Sequence, residues 1–140
     1  MGDVGVLGLP GRFDHRRPAQ QRLAGDIADM ETLIDEIART THQDPVAYRL
    51  SLWGNQHPRH RAALQLAVAQ SGYGTKKLSA GRAWGVAVHE SFETVVAYVV
   101  EASMQNGKPV LHRATAGVHC NLVVNPRSVE AQLQGAALMG

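Results

Sequence analysis

Cysteine is almost missing from this chain: Cys120 stands alone among 140 residues. An internal disulfide framework is therefore excluded, and a buried, inert thiol is the plain reading of Cys120. Aromatic residues make up only 5% and charged residues 19%, with a net charge of +2. So small an imbalance gives no reason to expect a nucleic-acid partner. The basic groups Arg12, Arg16, Arg17 and Arg59, Arg61 read as solvated faces. No apolar run approaches the roughly 20 residues that span a bilayer, so no transmembrane segment is expected. Export signals are missing too. Arg16-Arg17 is followed by Pro18-Ala19-Gln20-Gln21-Arg22 where a twin-arginine signal needs an apolar stretch. The compartment is left open, with the cytoplasm as the default.

The usual chemical motifs are also missing. No glycine-rich loop has P-loop or Rossmann spacing. His57 and His60 stand at a helix start without a second pair, which falls short of a zinc signature. His119 and Cys120 are neighbours in an extended run and point to opposite faces, so they do not share an ion. His89-Glu90-Ser91 places a base, an acid and a hydroxyl in a row, but alternating side chains cannot form a triad. The residues themselves indicate neither a catalytic group nor a metal ligand.

What remains is an α+β pattern, helices first and strands second. Residues 1–28 are glycine- and proline-rich and read as an irregular segment. Met30, Leu33, Ile34, Ile37 and Ala38 recur at the spacing of one apolar helical face, with Asp29 as the expected N-cap. Asp44-Pro45 opens a second helix, with Val46, Leu50 and Trp53 on one side and Gly54-Asn55 at its end. Pro58 opens a third, with Leu64, Ala67 and Val68 inward and Gly72 beyond its end.

From Ala83 the period becomes two. Trp84, Val86 and Val88 share one face. Ala83, Gly85 and Ala87 share the other, whose small side chains predict close approach of another backbone. Thr94 to Ala102 reads as a strand buried on both sides. Gln105-Asn106-Gly107-Lys108 predicts a type I′ hairpin, because Asn-Gly tolerates positive φ at both central positions. Pro109 to Val118 is the return strand. Asn125-Pro126 opens a last helix, with Val129, Gln132, Leu133 and Ala136 on one stripe. Gly140 ends the chain inside that pattern, which predicts a piece of something larger.

Three blocks of residues carry a family resemblance. The first runs from Met30 to Ala38 and from Asp44 to Leu50. The second joins Pro58-Arg59-His60-Arg61-Ala62-Ala63-Leu64 to Gly81-Arg82-Ala83-Trp84-Gly85-Val86-Ala87-Val88-His89-Glu90-Ser91-Phe92. The third runs from His112-Arg113 through His119-Cys120, the Val124-Asn125-Pro126 turn and Gln132-Leu133-Gln134-Gly135-Ala136. In their order and spacing, from about Met30 to Gly140, they resemble the molybdenum-binding large subunit of the xanthine dehydrogenase/aldehyde oxidase family, isoquinoline 1-oxidoreductase beta type. The chain departs from that pattern in three places. His119-Cys120-Asn121 stands where the family has Asp-Cys-Gly. Glu93 follows Ser91-Phe92 where the family has Gly. The downstream Gly-x-Gly-Glu segment with the catalytic glutamate has no counterpart.

The resemblance implies that residues 29–140 are part of a molybdopterin-binding domain. It implies contact of the Gln132 amide with the cofactor and close approach at Gly135. It implies a molybdenum–molybdopterin cofactor, in its cytosine dinucleotide form, in the intact enzyme, and none bound by this chain alone. It implies as partners the remainder of the large subunit and an iron–sulfur small subunit. The implied reaction is hydroxylation of an N-heterocycle or an aldehyde, with this chain inactive by itself. The alternative expectation is a non-catalytic remnant or small interaction module, using strand edges and an apolar helix face.

Overall fold

A computed structural model describes residues 21–91, 93–120 and 127. Three helices, α1 (Gln21–Thr40), α2 (Pro45–Trp53) and α3 (Pro58–Ser71), precede three strands, β1 (Arg82–Ser91), β2 (Thr94–Gln105) and β3 (Lys108–His119). The strands form one antiparallel sheet in the order β1-β2-β3. The α+β class expected from the change of period is therefore the observed one.

Local chemistry sets most boundaries. Asp44 Oδ1 accepts from the Val46 and Ala47 amides at 3.0 and 2.9 Å, which satisfies two orphan donors at the start of α2. Pro45 and Pro58 occupy the first turns of α2 and α3. Gly72 closes α3 in the left-handed region. Asn106 and Gly107 both have positive φ, 51° and 73°, as the type I′ hairpin between β2 and β3 requires.

α1 departs from expectation twice. It begins at Gln21, so Asp29 lies inside the helix and is not its N-cap. Gln21, Arg22, Leu23 and Ala24 are good helix formers, and they carry the helix across Gly25. Much of its apolar stripe also faces outward: Met30, Leu33 and Ile37 are exposed, Ile34 is half-buried and only Ala38 is fully buried. The inward stripe is instead Glu31, Asp35 and Ala38, spaced i, i+4, i+7, because Arg49 of α2 draws both carboxylates in. Residues 1–20 lie outside the described residues. So does most of the segment expected to form the last helix, of which Arg127 is described and helical.

The register places Trp84, Val86, Val88 and Glu90 on one face with Val95, Ala97, Val99 and Glu101 and with Arg113, Thr115, Gly117 and His119. α3 covers this face. Val46, Ala63, Leu64, Ala67, Val86, Val88, Val95, Ala97 and Val99 form the core, with Leu50, Trp53, Val68, Tyr73 and Trp84 packed around it. The close backbone approach expected at Gly85 occurs at Gly117. A Cβ there would lie 2.1 Å from the Ala63 carbonyl oxygen and 3.0 Å from the Ala67 amide nitrogen. At Gly85 the nearest atom is a Val100 methyl carbon. β2 is not buried on both sides. Its burial alternates, whereas Ala114 to Val118 of β3 are buried on both faces.

Candidate functional site

The N-terminal end of α3 brings together several polar groups that lie apart in sequence. Arg113 Nη2 donates to Gln70 O, and Gly117 meets Ala63 and Ala67, so α3 runs antiparallel to β3. From Ala63 back to Arg59 the helix rises about 6 Å. From Gly117 on to His119 the strand advances about 6.6 Å in the same direction. Arg59 therefore lies level with His119, and by the i, i+4 relation it shares Ala63's sheet-facing side. Glu90, Val95 and His119 form one row across the sheet. Arg59 Nη1 lies 3.5 Å from Glu90 Oε1, which sets the guanidinium over that row.

Around it, His60 Nε2 lies 3.2 Å from Glu90 Oε2. The His60 ring packs against those of Trp53 and His57, at 5.5 and 5.2 Å between centroids. Burial pulls the His60 pKa below its ordinary value; Glu90 opposes this, while His57 and Arg59 add to it. Nε and Nη2 of Arg59 and Nδ1 of His119 are buried without a hydrogen-bond partner.

Two other charge clusters are structural. Arg49 is fully buried; its Nη2 donates to Glu31 Oε2 at 2.8 Å and to the Val86 carbonyl at 3.0 Å, and its Nη1 donates to Asp35 Oδ1 at 2.6 Å. Glu31 Oε2 also accepts from the Val88 amide at 3.1 Å. Side chains thus satisfy two backbone groups on the outer edge of β1, the edge a further strand would otherwise use. Glu101 is buried at the other end of the sheet between Arg82 (2.5 Å) and Lys76 (2.9 Å). Hydrogen bonds from Arg82 and then Lys76 hold its carboxyl below the ordinary pKa.

Sequence reasoning missed Arg49 and Glu101 as interior groups, although a signal existed for each. Arg49 falls three residues after Val46, and Glu101 continues the alternation of Val95, Ala97 and Val99. The solvated-face reading of Arg61 also fails: its Nη1 donates to the Leu50 and Gly54 carbonyls, both at 3.0 Å, closing the end of α2.

A shallow groove of about 290 Å³ lies on the opposite face, lined by Glu31, Thr32, Asp35, Gly85, Val86, Ala87, Tyr98 and Val100. The small side chains of β1 open it, and α1 walls it. Cys120 is buried and unpaired with any other cysteine, as its composition suggests. Gln132 and Gly135, the residues assigned to the cofactor by resemblance, lie outside the described residues. Among the described residues, no group of three or more His, Cys, Asp or Glu side chains could hold a metal ion. No helix among them is long and apolar enough to cross a membrane.

Over 114 residues the chain is 31% identical to isoquinoline 1-oxidoreductase subunit beta of Brevundimonas diminuta, a match covering 79% of this chain and 14% of that protein. The chain therefore spans about one seventh of the curated relative it matches. No family profile matches the chain, and no solved structure matches it.

Proposed function

We propose that this chain is a segment of the large subunit of a molybdenum hydroxylase, of the isoquinoline 1-oxidoreductase type within the xanthine dehydrogenase/aldehyde oxidase family. The observation that carries this reading is the 31% identity over 79% of the chain to a subunit of that enzyme. The exposed stripe of Met30, Leu33 and Ile37 supports it, because a helix face of that kind is buried where a larger subunit surrounds it. In this reading the sheet and α3 are scaffold. They hold the chain at Cys120, from which residues 121–135 lead to Gln132 and Gly135.

Molybdenum–molybdopterin, when bound to the intact subunit, supplies the oxygen-transfer and redox chemistry. The described residues do not fit direct ligation of the metal, since they contain no donor cluster for one, and they carry no step of the reaction. Gln132 is the residue that would touch the cofactor, its amide donating and accepting from one planar head. The rest of the large subunit and an iron–sulfur small subunit are the partners this reading requires.

The test places Gln132→Ala in an intact homologous subunit, with Gln134→Ala as control, about 200° further round an ideal helix. Loss of one or two buried hydrogen bonds costs about 1–3 kcal/mol each. Molybdenum content or turnover should then fall roughly tenfold or more for Gln132→Ala alone. Equal, small effects of both changes would refute the assignment. The chain by itself should show no turnover of N-heterocycles or aldehydes with a dye acceptor, and turnover with stoichiometric molybdenum would overturn that.

The second reading is a non-catalytic interaction module. The same exposed stripe on α1 favours it.

A further inference from the structure

We propose that the Nε–Nη2 edge of Arg59, together with Nδ1 of His119, binds an oxyanion, the phosphate or carboxylate group of a ligand. The site stands apart from the Gln132 assignment and does not depend on it.

The first observation is the orphaned donors. Among the described residues, four buried side-chain polar atoms lack a partner: Arg59 Nε and Nη2, Thr115 Oγ1 and His119 Nδ1. All belong to α3 or to the sheet face that α3 covers. Buried polar groups in folded proteins are almost always paired, and an unpaired cationic donor is the costliest exception. Two of the four belong to one guanidinium, and a third lies level with it on β3.

The second observation is orientation. Glu90 approaches Arg59 from the β1 side and engages Nη1 at 3.5 Å. Nε and Nη2 form a different edge of the planar guanidinium. Their N–H bonds are parallel and match the spacing of two oxygens on one carboxylate or phosphate. A hydroxyl or carbonyl would satisfy one of these donors. A two-oxygen anion satisfies both, and a third oxygen of phosphate remains for His119.

The third observation is electrostatic. Glu90 sits on the Nη1 side, partly exposed and screened by solvent. Burial biases His60 toward its neutral form. An incoming anion selects the imidazole tautomer that carries its proton on Nδ1 of His119.

The experiment follows the arginine Nε–H signals of the full chain by ¹⁵N-edited NMR, with Arg59 identified by the signal lost in Arg59→Lys. The chain is titrated with inorganic phosphate, with sodium formate and with sodium chloride at matched ionic strength. A saturable shift of the Arg59 signal with phosphate or formate, and not with chloride, is expected. A response to phosphate alone assigns a phosphate site; a response to formate as well assigns a carboxylate-tolerant one. Arg59→Lys keeps the charge and loses the fork, so binding should weaken tenfold or more. His119→Ala should weaken it several-fold, and Arg39→Lys, on the exposed side of α1, should leave it unchanged. An unmoved Arg59 signal, an equal response to chloride, or undiminished binding by Arg59→Lys would overturn the proposal. The wild-type titration decides by itself if a variant does not fold.

Discussion

Gly117 and Gly85 look alike in sequence, each a glycine in a strand of small residues, and the structure separates them by what an added carbon would strike. At Gly117 it strikes the backbone of α3; at Gly85 it meets a methyl at 2.9 Å that can turn aside. Gly117→Ala should therefore destabilise by about 3 kcal/mol or more, the upper end for overpacking, and Gly85→Ala by about 1 kcal/mol or less. Urea denaturation of the two variants reads this difference directly. Glu93 is the opposite case. It has a φ of 64° in the turn between β1 and β2, a conformation in which L side chains crowd the backbone. This is also the position at which the family pattern places glycine. Glu93→Gly should stabilise by about 0.5–1 kcal/mol in the same denaturation series.

Elements in this protein are joined by charge as much as by apolar contact. α1 reaches the sheet through Glu31, which pairs with buried Arg49 and also accepts from the Val88 amide. Glu31→Ala would leave Arg49 with Asp35 as its one carboxylate among the described residues and strand the β1 amide. Breaking one partner of a buried pair costs about 3 kcal/mol or more, so the variant should lose about that much stability and its α1 should fray, read by amide exchange in residues 30–40. The β1–β2 hairpin depends on Glu101 in a comparable way, and there pH tests the link. A carboxyl held below its ordinary value stabilises the fold above the unfolded-state pKa of 4.5, and this is lost as pH falls through the folded-state value. His60, lowered from 6.5 by burial, also disfavours the fold on acidification, but from a higher starting point. Stability measured by urea should fall first below about pH 6.5 and again below about pH 4.5. Glu101→Gln should remove the second fall and keep the first.

At the scale of the whole molecule, the core lies on one side of the sheet and α1 turns its apolar stripe away from it. Met30 is 65% exposed and Leu33 54%, and on the β2–β3 hairpin Met104 is 66% exposed. An exposed apolar helix face such as that of α1 drives association. Purified chain should self-associate in sedimentation velocity at tens of micromolar, and Leu33→Glu with Ile37→Lys should shift it toward monomer without loss of helix content. A monodisperse wild-type monomer with a sharp two-state melt would count against both the exposed interface and the segment reading.

The sequence by itself determined whatever depends on neighbours within a few residues. Asp44-Pro45 starts α2 because the aspartate reaches two amides of its own first turn, and Asn106-Gly107 reverses the chain because these residues tolerate positive φ. The α+β class follows from the change of period near Ala83, and the family resemblance from three blocks in order. Tertiary structure decided which face of α1 turns inward, because the competing partner, Arg49, lies 14 to 18 residues away and outbids the local apolar stripe. It decided that Gly117 and not Gly85 receives a backbone, since only the crossing of α3 over β3 distinguishes them. It also brought Arg59 to Glu90, a pairing that no linear spacing reveals. Gln132 and Gly135 lie outside the described residues, so their role still rests on sequence resemblance. The division has one physical cause: caps and turns are satisfied within a single turn of chain, whereas buried charges and close approaches are satisfied by whatever the fold places opposite them.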